Sequence, residues 1–502
     1  LNFKIMKKHI LSKVIPIIVF IQLLSGCSND FFDVNTPSGS ATEDQLRMND
    51  LLGPAIFHTV MAQYWAERSF GNYTQYFTGQ TGQAIGSTEI SGTWSETYLR
   101  ALPSLNTILE KAVASNSNHF RGISKVLTAI NLGLATDSWD AIPYSEAASG
   151  SDNLRPGFDS QESIYQTIAT LLQDAIVDLS SPDTSGFSPT DTDDLIYRGD
   201  ISKWLKAAYT LKARYELHLS EINGTAAANA ALASLANGFT SNADDFQMFF
   251  TSRDLNPWRS REVLARNTGN DHDKIGDQLV NYMNGTSYPF QSGAITIDPR
   301  LPIYSDKSGD SSDPWRGFLS GGEGLSSDGN SGNTNFADNG FYTRVDSPMV
   351  VISYAEALFM KAEAEFIKNG GTETSVGSTS VAYNAYLQGI SANILKMGVD
   401  ATDYLADTAI DVGVANLKLE HIMKEKYIAN FLNPETFVDF RRYKFSPNVF
   451  RDLALPVDSA NSSEFPNQWF VRAQYPGSEE TRNPNNVASN KKSPVTPVWW
   501  DK

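Results

Sequence analysis

Apolar residues recur at helical spacing in long segments that come in consecutive pairs, and this limits the chain to helices packed on helices. Trp94, Tyr98, Leu102, Leu105, Ile108 and Leu109 share one face of a segment that ends near Ser115. Ile123, Val126, Leu127, Ile130 and Leu134 mark the inner face of an antiparallel return over residues 119–136. Pro103 predicts a kink in the first of these, because it has no N–H to offer the helix ladder. The same pattern continues at 161–179 with 201–221, 348–368 with 380–397, and 414–429 with 434–443. Helix starts are marked as well. Asp200 can accept backbone N–H bonds as a cap, and Asn433-Pro434-Glu435 supplies a cap, a first-turn proline and an acid at the positive end of the helix dipole. Further helices are expected over about 43–65 and 226–235.

A single helical hairpin cannot bury its apolar face alone, so the pairs must stack. The stretch Tyr354–Phe366 mixes small alanines with Leu358, Phe359 and Met360, as close helix packing requires. The prediction is a mainly α fold, a tetratricopeptide-like scaffold of about four helix pairs built chiefly from residues 43–237 and 346–445. Residues 238–345 between them show little periodicity, and Ser320–Asn335 is dense in Gly, Ser and Asn. A loop of that length is functional or disordered, so 238–345 is expected to form a loop-rich ligand-binding layer. Ser69–Gly92 has the same character: five glycines interleave with Phe70, Tyr73, Tyr76 and Phe77, and glycine weakens a helix interior. A helix end followed by loop is expected there. With 41% hydrophobic residues over 502 positions there is material for a large core.

The N-terminus reads separately. Lys4, Lys7, Lys8 and Lys13 precede or open an apolar run, Val14–Leu24, broken only by Pro16 and Gln22. A basic segment, a short apolar segment and small residues make a secretory signal, too short for a stable transmembrane anchor. Leu24-Ser25-Gly26-Cys27 resembles the lipobox of bacterial lipoproteins, and Cys27 is the only cysteine in the chain. The resemblance implies that Cys27 is lipidated and becomes the mature N-terminus. Residues 1–26 are then a leader, 27–42 a lipidated tether and 43–502 a single domain. Losing a leader with four lysines and no acid takes the net charge from −17 to −21. That sign excludes a phosphate-binding nucleic-acid partner and leaves membrane contact to the lipid alone.

Several stretches, in order along the chain, resemble the SusD/RagB family of outer-membrane lipoproteins of the Bacteroidetes. They are Thr136–Ala147, with Asp140-Ala141 where the family has Gly-Asp; Asp194–Trp204 followed by Leu211–Arg214; and Ile297–Pro302. His421–Ala429 with Phe437–Arg442 follows, with Glu425 and Tyr427 as departures, and then the Arg472–Asn486 tail. Acidic residues just after Cys27, Asp30 and Asp33, resemble a surface-export signal of that phylum. The resemblance implies a helical, tetratricopeptide-containing protein at the cell surface, and a SusC-like TonB-dependent transporter as partner. It also implies oligosaccharides, or in some branches peptides, as cargo, and no enzymatic activity. The matching segments read as scaffold and do not identify the ligand.

Motifs for catalysis are scarce. The six histidines form no His-x-x-x-His pair, so neither a metal nor a cofactor is expected. Asp271-His272-Asp273 reads as a solvated loop, and Asp191, Asp193 and Asp194 lack the glycine and distal glutamate of a calcium loop. Paired carboxylates for glycoside hydrolysis depend on spatial distance, so a lipid-anchored hydrolase stays as an alternative beside a peptide binder. Sugar capture asks only for flat aromatic faces with amide or charged groups beside them. Candidates are Tyr73, Tyr76, Gln80 and Gln83; Asn256, Trp258 and Arg259; and Trp315 with Arg316. The other reading of each aromatic is a loop anchor packed on the scaffold. Arg253, Arg259 and Arg261 form a local basic group, Trp94, Trp139 and Trp204 are assigned to the core, and Trp499-Trp500 to docking of the tail or of a partner.

Overall fold

A computed structural model describes residues 45–79, 89–147, 153–457 and 464–501. Helix α1 (Met48–Tyr73) continues past Trp65, through a stretch expected to break it. The reason is local. A Cβ at Gly71 would lie 2.2 Å from the Phe77 ring, so this glycine serves close packing of the aromatic against the helix. The segment carrying Pro103 is divided as its chemistry requires. Helix α2 (Ser91–Glu96) passes into a π-helical turn (Thr97–Ala101) and then α3 (Leu102–Ser115), which holds Pro103 in its first turn, where no N–H is needed.

Helices α4 (Asn118–Trp139), α5 (Gln161–Ser180), α6 (Ile201–His218) and α7 (Thr225–Leu235) follow. Asp200 caps α6, accepting the Ser202 N–H at 3.0 Å. From α3 to α7 each helix lies against the next. The short α8 (Asp277–Met283) belongs to the loop-rich part. Helices α9 (Tyr354–Lys368) and α10 (Ser380–Met397) form the expected hairpin, and α9 also packs along α7, which joins the two halves of the scaffold. Residues 348–352 are a strand rather than the first turns of α9, which is capped by Ser353.

The last expected pair takes another form. Helix α11 (Leu419–Ala429) packs on α9, whereas α12 (Glu435–Arg442) runs closest to α1, α6 and the turn Trp499–Asp501. Stacking of Tyr427 on Phe440, 5.7 Å between centroids, couples α11 to α12. Buried ion pairs do the same. Arg442 donates to Glu363 and Asp439, both at 2.6 Å, and Lys426 reaches Asp439 at 2.9 Å. Such charges repay their desolvation only when every one is partnered, so the cluster ties α9, α11 and α12 in one arrangement. In the Asp298-Pro299-Arg300 turn, Arg300 clasps Asp298 and then Glu425 of α11, the latter at 2.7 Å. That motif staples the loop-rich part to the scaffold.

Among the described residues, six short strands complete the fold. β2 (Phe246–Phe249) pairs antiparallel with β6 (Pro348–Ile352). β1 (Phe77–Thr78), β3 (Lys274–Ile275), β4 (Ser305–Lys307) and β5 (Thr334–Phe336) form a small antiparallel sheet in the order β1-β3-β5-β4. Residues Met48–Lys502 make one compact unit.

Candidate functional site

The β4–β5 pair sets Lys307 opposite Thr334, and the chain between them leaves the sheet as a long excursion. Trp315 and Arg316 sit on it. Their backbone is held by Asn333, which immediately precedes β5. The Asn333 side chain accepts the Arg316 N–H and donates to the Pro314 carbonyl, each at 2.9 Å. From the other side, Asn284 at the end of α8 donates to the Trp315 carbonyl at 3.0 Å. Lys307 places its ammonium 5.3 Å from the centre of the Trp315 ring, within cation–π range. The same ammonium donates to the carbonyls of Ser311 and Asp313 at 2.6 and 2.7 Å, which fastens that turn to the sheet. The tryptophan is therefore rigidly presented although it lies in a glycine-rich region.

Trp315 and Arg316 line a half-open cleft of about 410 Å³. Pro314, Trp315 and Ile297 give it apolar surface, while Asn281, Asn284, Thr286, Thr296, Ser326 and Ser327 give it amides and hydroxyls. Arg316 and Asp328 are its only charged lining residues among the described residues, and they pair at 2.7 Å. The Arg316 guanidinium, aided by the Asn330 N–H, holds the Asp328 carboxyl down at about 2. Behind the wall, buried Asp277 accepts from Asn281 and from Ser326, both at 2.7 Å, and so orients two of the lining groups. One flat ring, neutral donors and acceptors, and a self-neutralised ion pair make a surface suited to a polyhydroxylated ligand.

The other aromatic candidates lie elsewhere. Tyr76 is fully buried, stacked on Tyr427 at 4.4 Å, and its hydroxyl donates to the Tyr427 carbonyl. Tyr73 is buried against Phe437 and Phe470. Trp258, 2% exposed, packs edge-on to Tyr64 at 4.9 Å and parallel to Phe336 at 6.2 Å. Asn256 is fully buried and caps this turn, accepting the Trp258 N–H at 2.8 Å, and Arg259 donates to the carbonyls of Asp338 and Thr343. Burial puts Tyr73, Tyr76, Asn256 and Trp258 beyond a ligand's reach, and Arg259 is engaged as a backbone clamp. Gln80, Gln83 and Cys27 lie outside the described residues. What the sequence reading missed is the polar wall: Asn281, Asn284, Thr286, Ser327 and Asp328 have no shared motif, and only their place in the loop-rich part pointed to them.

Asp193, Asp194 and Asp271, singled out in the sequence, are engaged by the protein itself. Asp194 accepts N–H bonds from Ile196, Tyr197 and Gly199 and the indole N–H of Trp204. Asp193 takes the Thr190 amide and hydroxyl. Asp271 pairs with Arg261. Glu262 and Asp273 are buried together beside a π-helical turn (Arg259–Leu264), and burial followed by the nearby Asp273 pushes Glu262 up to about 8. Neither borders the cleft. Among the described residues no group of three or more His, Cys, Asp or Glu is placed to hold a metal. The tail docks on the scaffold, where the Trp500 indole donates to Asp137 at 2.9 Å and the ring meets the Arg441 guanidinium.

A family model described as SusD-like, starch-binding and associating with the outer membrane, matches residues 40–476. A SusD/RagB family protein from Bacteroides thetaiotaomicron has a similar fold, with a TM-score of 0.68 at 22% identity over 91% of this chain and 99% of its own. A chitin-binding protein gives 0.70 at 21% identity, over 91% of this chain and all of its own. A chitin-binding SusD homologue from Flavobacterium johnsoniae gives 0.68 at 20%, over 91% of this chain and 98% of its own. At these identities the likeness is one of fold. No curated protein sequence matches the chain.

Proposed function

Because the chain belongs to the SusD-like family, whose members associate with the outer membrane, we propose that it is a surface lipoprotein that binds an oligosaccharide and hands it to a SusC-like TonB-dependent transporter. The observation that carries this is the Trp315 cleft, an aromatic face fixed beside amides and hydroxyls and open to solvent. Two solved relatives of the same fold are chitin-binding proteins, which favours a glycan over a peptide. The role is capture without chemistry. Hydrolysis of a glycosidic bond takes two carboxyl groups about 5–10 Å apart. Among the described residues Asp328 alone supplies a carboxyl to the cleft lining, and at about 2 it stays ionised and unfit as a general acid. In this reading the chain is held at the membrane by acyl groups on Cys27, as the likeness of Leu24-Ser25-Gly26-Cys27 to a lipobox implies.

The test is calorimetry of the protein against a panel of neutral oligosaccharides and peptides, repeated with Trp315→Ala. A glycan should bind and be recovered intact, and the substitution should weaken binding by about tenfold or more with the melting temperature nearly unchanged, taking base–aromatic stacking of ~1–3 kcal/mol as the scale for a sugar on an indole. Binding only of peptides, or a cleaved ligand, overturns the reading.

A further inference from the structure

We infer that Asp328 is a specificity-determining residue, which sets the Trp315 cleft to uncharged glycans and against those bearing carboxylates. The inference rests on the glycan reading above. Arg316 is the cation of the cleft lining, and in an otherwise neutral polar wall it would draw in a uronate. Asp328 prevents that. Its Oδ2 accepts the Arg316 Nε–H at 2.7 Å, while its Oδ1 accepts the Asn330 N–H at 2.9 Å, so the carboxylate is anchored at both oxygens. The side chain is nevertheless 46% exposed.

A ligand carboxylate entering the cleft has to displace Asp328 from Arg316, or accept a place beside a second negative charge. Among the described residues the lining holds no second cation. Lys307 is committed to the Trp315 ring and to two backbone carbonyls. The buried Asp277 behind the wall adds further negative charge. At long range the field has the same sign, with 57 acidic against 40 basic side chains in the whole chain. A neutral sugar meets none of these costs. Its hydroxyls donate to the remaining lone pairs of Asp328 and accept from guanidinium N–H groups other than Nε, a fork with five donors in all.

The experiment takes the neutral hexasaccharide that binds best, from starch, cellulose or chitin, and compares it with the same hexasaccharide after oxidation of its primary hydroxyls to carboxylates. Affinities are measured for the unaltered protein, Asp328→Asn and Trp315→Ala. Two like charges about 6 Å apart change an affinity by about threefold at the dielectric of bulk water and by about a hundredfold at an effective dielectric of ~20, and a half-exposed carboxylate lies between these limits. The unaltered protein should therefore prefer the neutral form by about tenfold or more. Asp328→Asn keeps the shape, removes the charge and frees Arg316, so it should erase that preference. Its gain for the oxidised form should shrink as salt is added, and its melting temperature should not change. Equal binding of both forms by the unaltered protein, or an unchanged preference in Asp328→Asn, overturns the inference. If Trp315→Ala abolishes binding while Asp328→Asn changes nothing, the glycan site stands and only the role of Asp328 falls. If no hexasaccharide binds, or Trp315→Ala binds normally, both fall.

Discussion

Trp258→Ala separates the scaffold from the site. The indole is 2% exposed and lies among Tyr64, Phe77 and Phe336, with centroids 4.9, 5.7 and 6.2 Å away. A buried tryptophan removes roughly 150–250 Å² from water, which at about 25 cal/mol per Å² amounts to ~4–6 kcal/mol as an upper bound. Tryptophan-to-alanine changes in cores cost ~3–5 kcal/mol. Phe77 and Phe336 belong to β1 and β5, so the loss falls on the sheet that supports the excursion carrying Trp315. The assay is urea unfolding followed by circular dichroism, together with glycan titration at urea concentrations where the variant is fully folded. We expect a large fall in the midpoint, about half of it recovered in Trp258→Phe, and glycan affinity within about threefold of the unaltered protein, since Trp258 does not line the cleft and sites without shared partners couple by only ~0.3–0.5 kcal/mol. An unchanged midpoint with lost glycan binding would refute the reasoning and make Trp258 a ligand contact.

Three further outcomes are expected. Burial alone would lower the pKa of His218, but Glu435, 2.6 Å from Nε2, and Asp137 lift it to about 8 from an ordinary value of 6.5. The folded-state value is raised, so the stabilisation is complete below pH 6.5 and disappears as pH climbs through 8, a loss of ~2 kcal/mol. Glu435, held down at about 2 despite its burial by His218 and Arg214, reports the same contact from the other side and adds nothing separate. Unfolding free energies between pH 6 and 9 that do not fall, or that fall equally in His218→Gln, would count against this. Glu363→Ala leaves buried Arg442 and Lys426 with Asp439 as their one shared carboxylate and should cost ~3–5 kcal/mol in urea unfolding. A double variant with Arg442→Ala should lose less than the sum of the two single changes. Cys27→Ala should release the protein from membranes in a fractionation experiment, and retention there would refute the lipid tether.

Much of the scaffold was legible from local pattern. Helical periodicity over a dozen residues or more reports which face must be buried, and caps such as Asp200 and Asn433 act within a few residues of themselves. Boundaries failed where a distant contact overruled local propensity. Gly71 looked like a breaker and is a contact point for Phe77, and residues 348–352 looked helical until β2 offered them a ladder.

The candidate site was legible in part, for the same physical reason. By itself the sequence determined that helices would dominate, that the loop-rich stretch would lie between two helical halves, and that Trp315-Arg316 stood in a polar context. Which aromatics are exposed was decided by tertiary structure alone. Tyr76 stands among glycines as Trp315 does, and Trp258 lies in a stretch as polar as that of Trp315. Tyr76 is covered by Tyr427 and Phe431, more than three hundred residues away, and Trp258 by Tyr64 and Phe336. Trp315 is left partly exposed: Asn284 and Asn333 grip the backbone on either side of it, and the residue lines the cleft. Burial is a property of what arrives from elsewhere in the chain, and no local pattern records it.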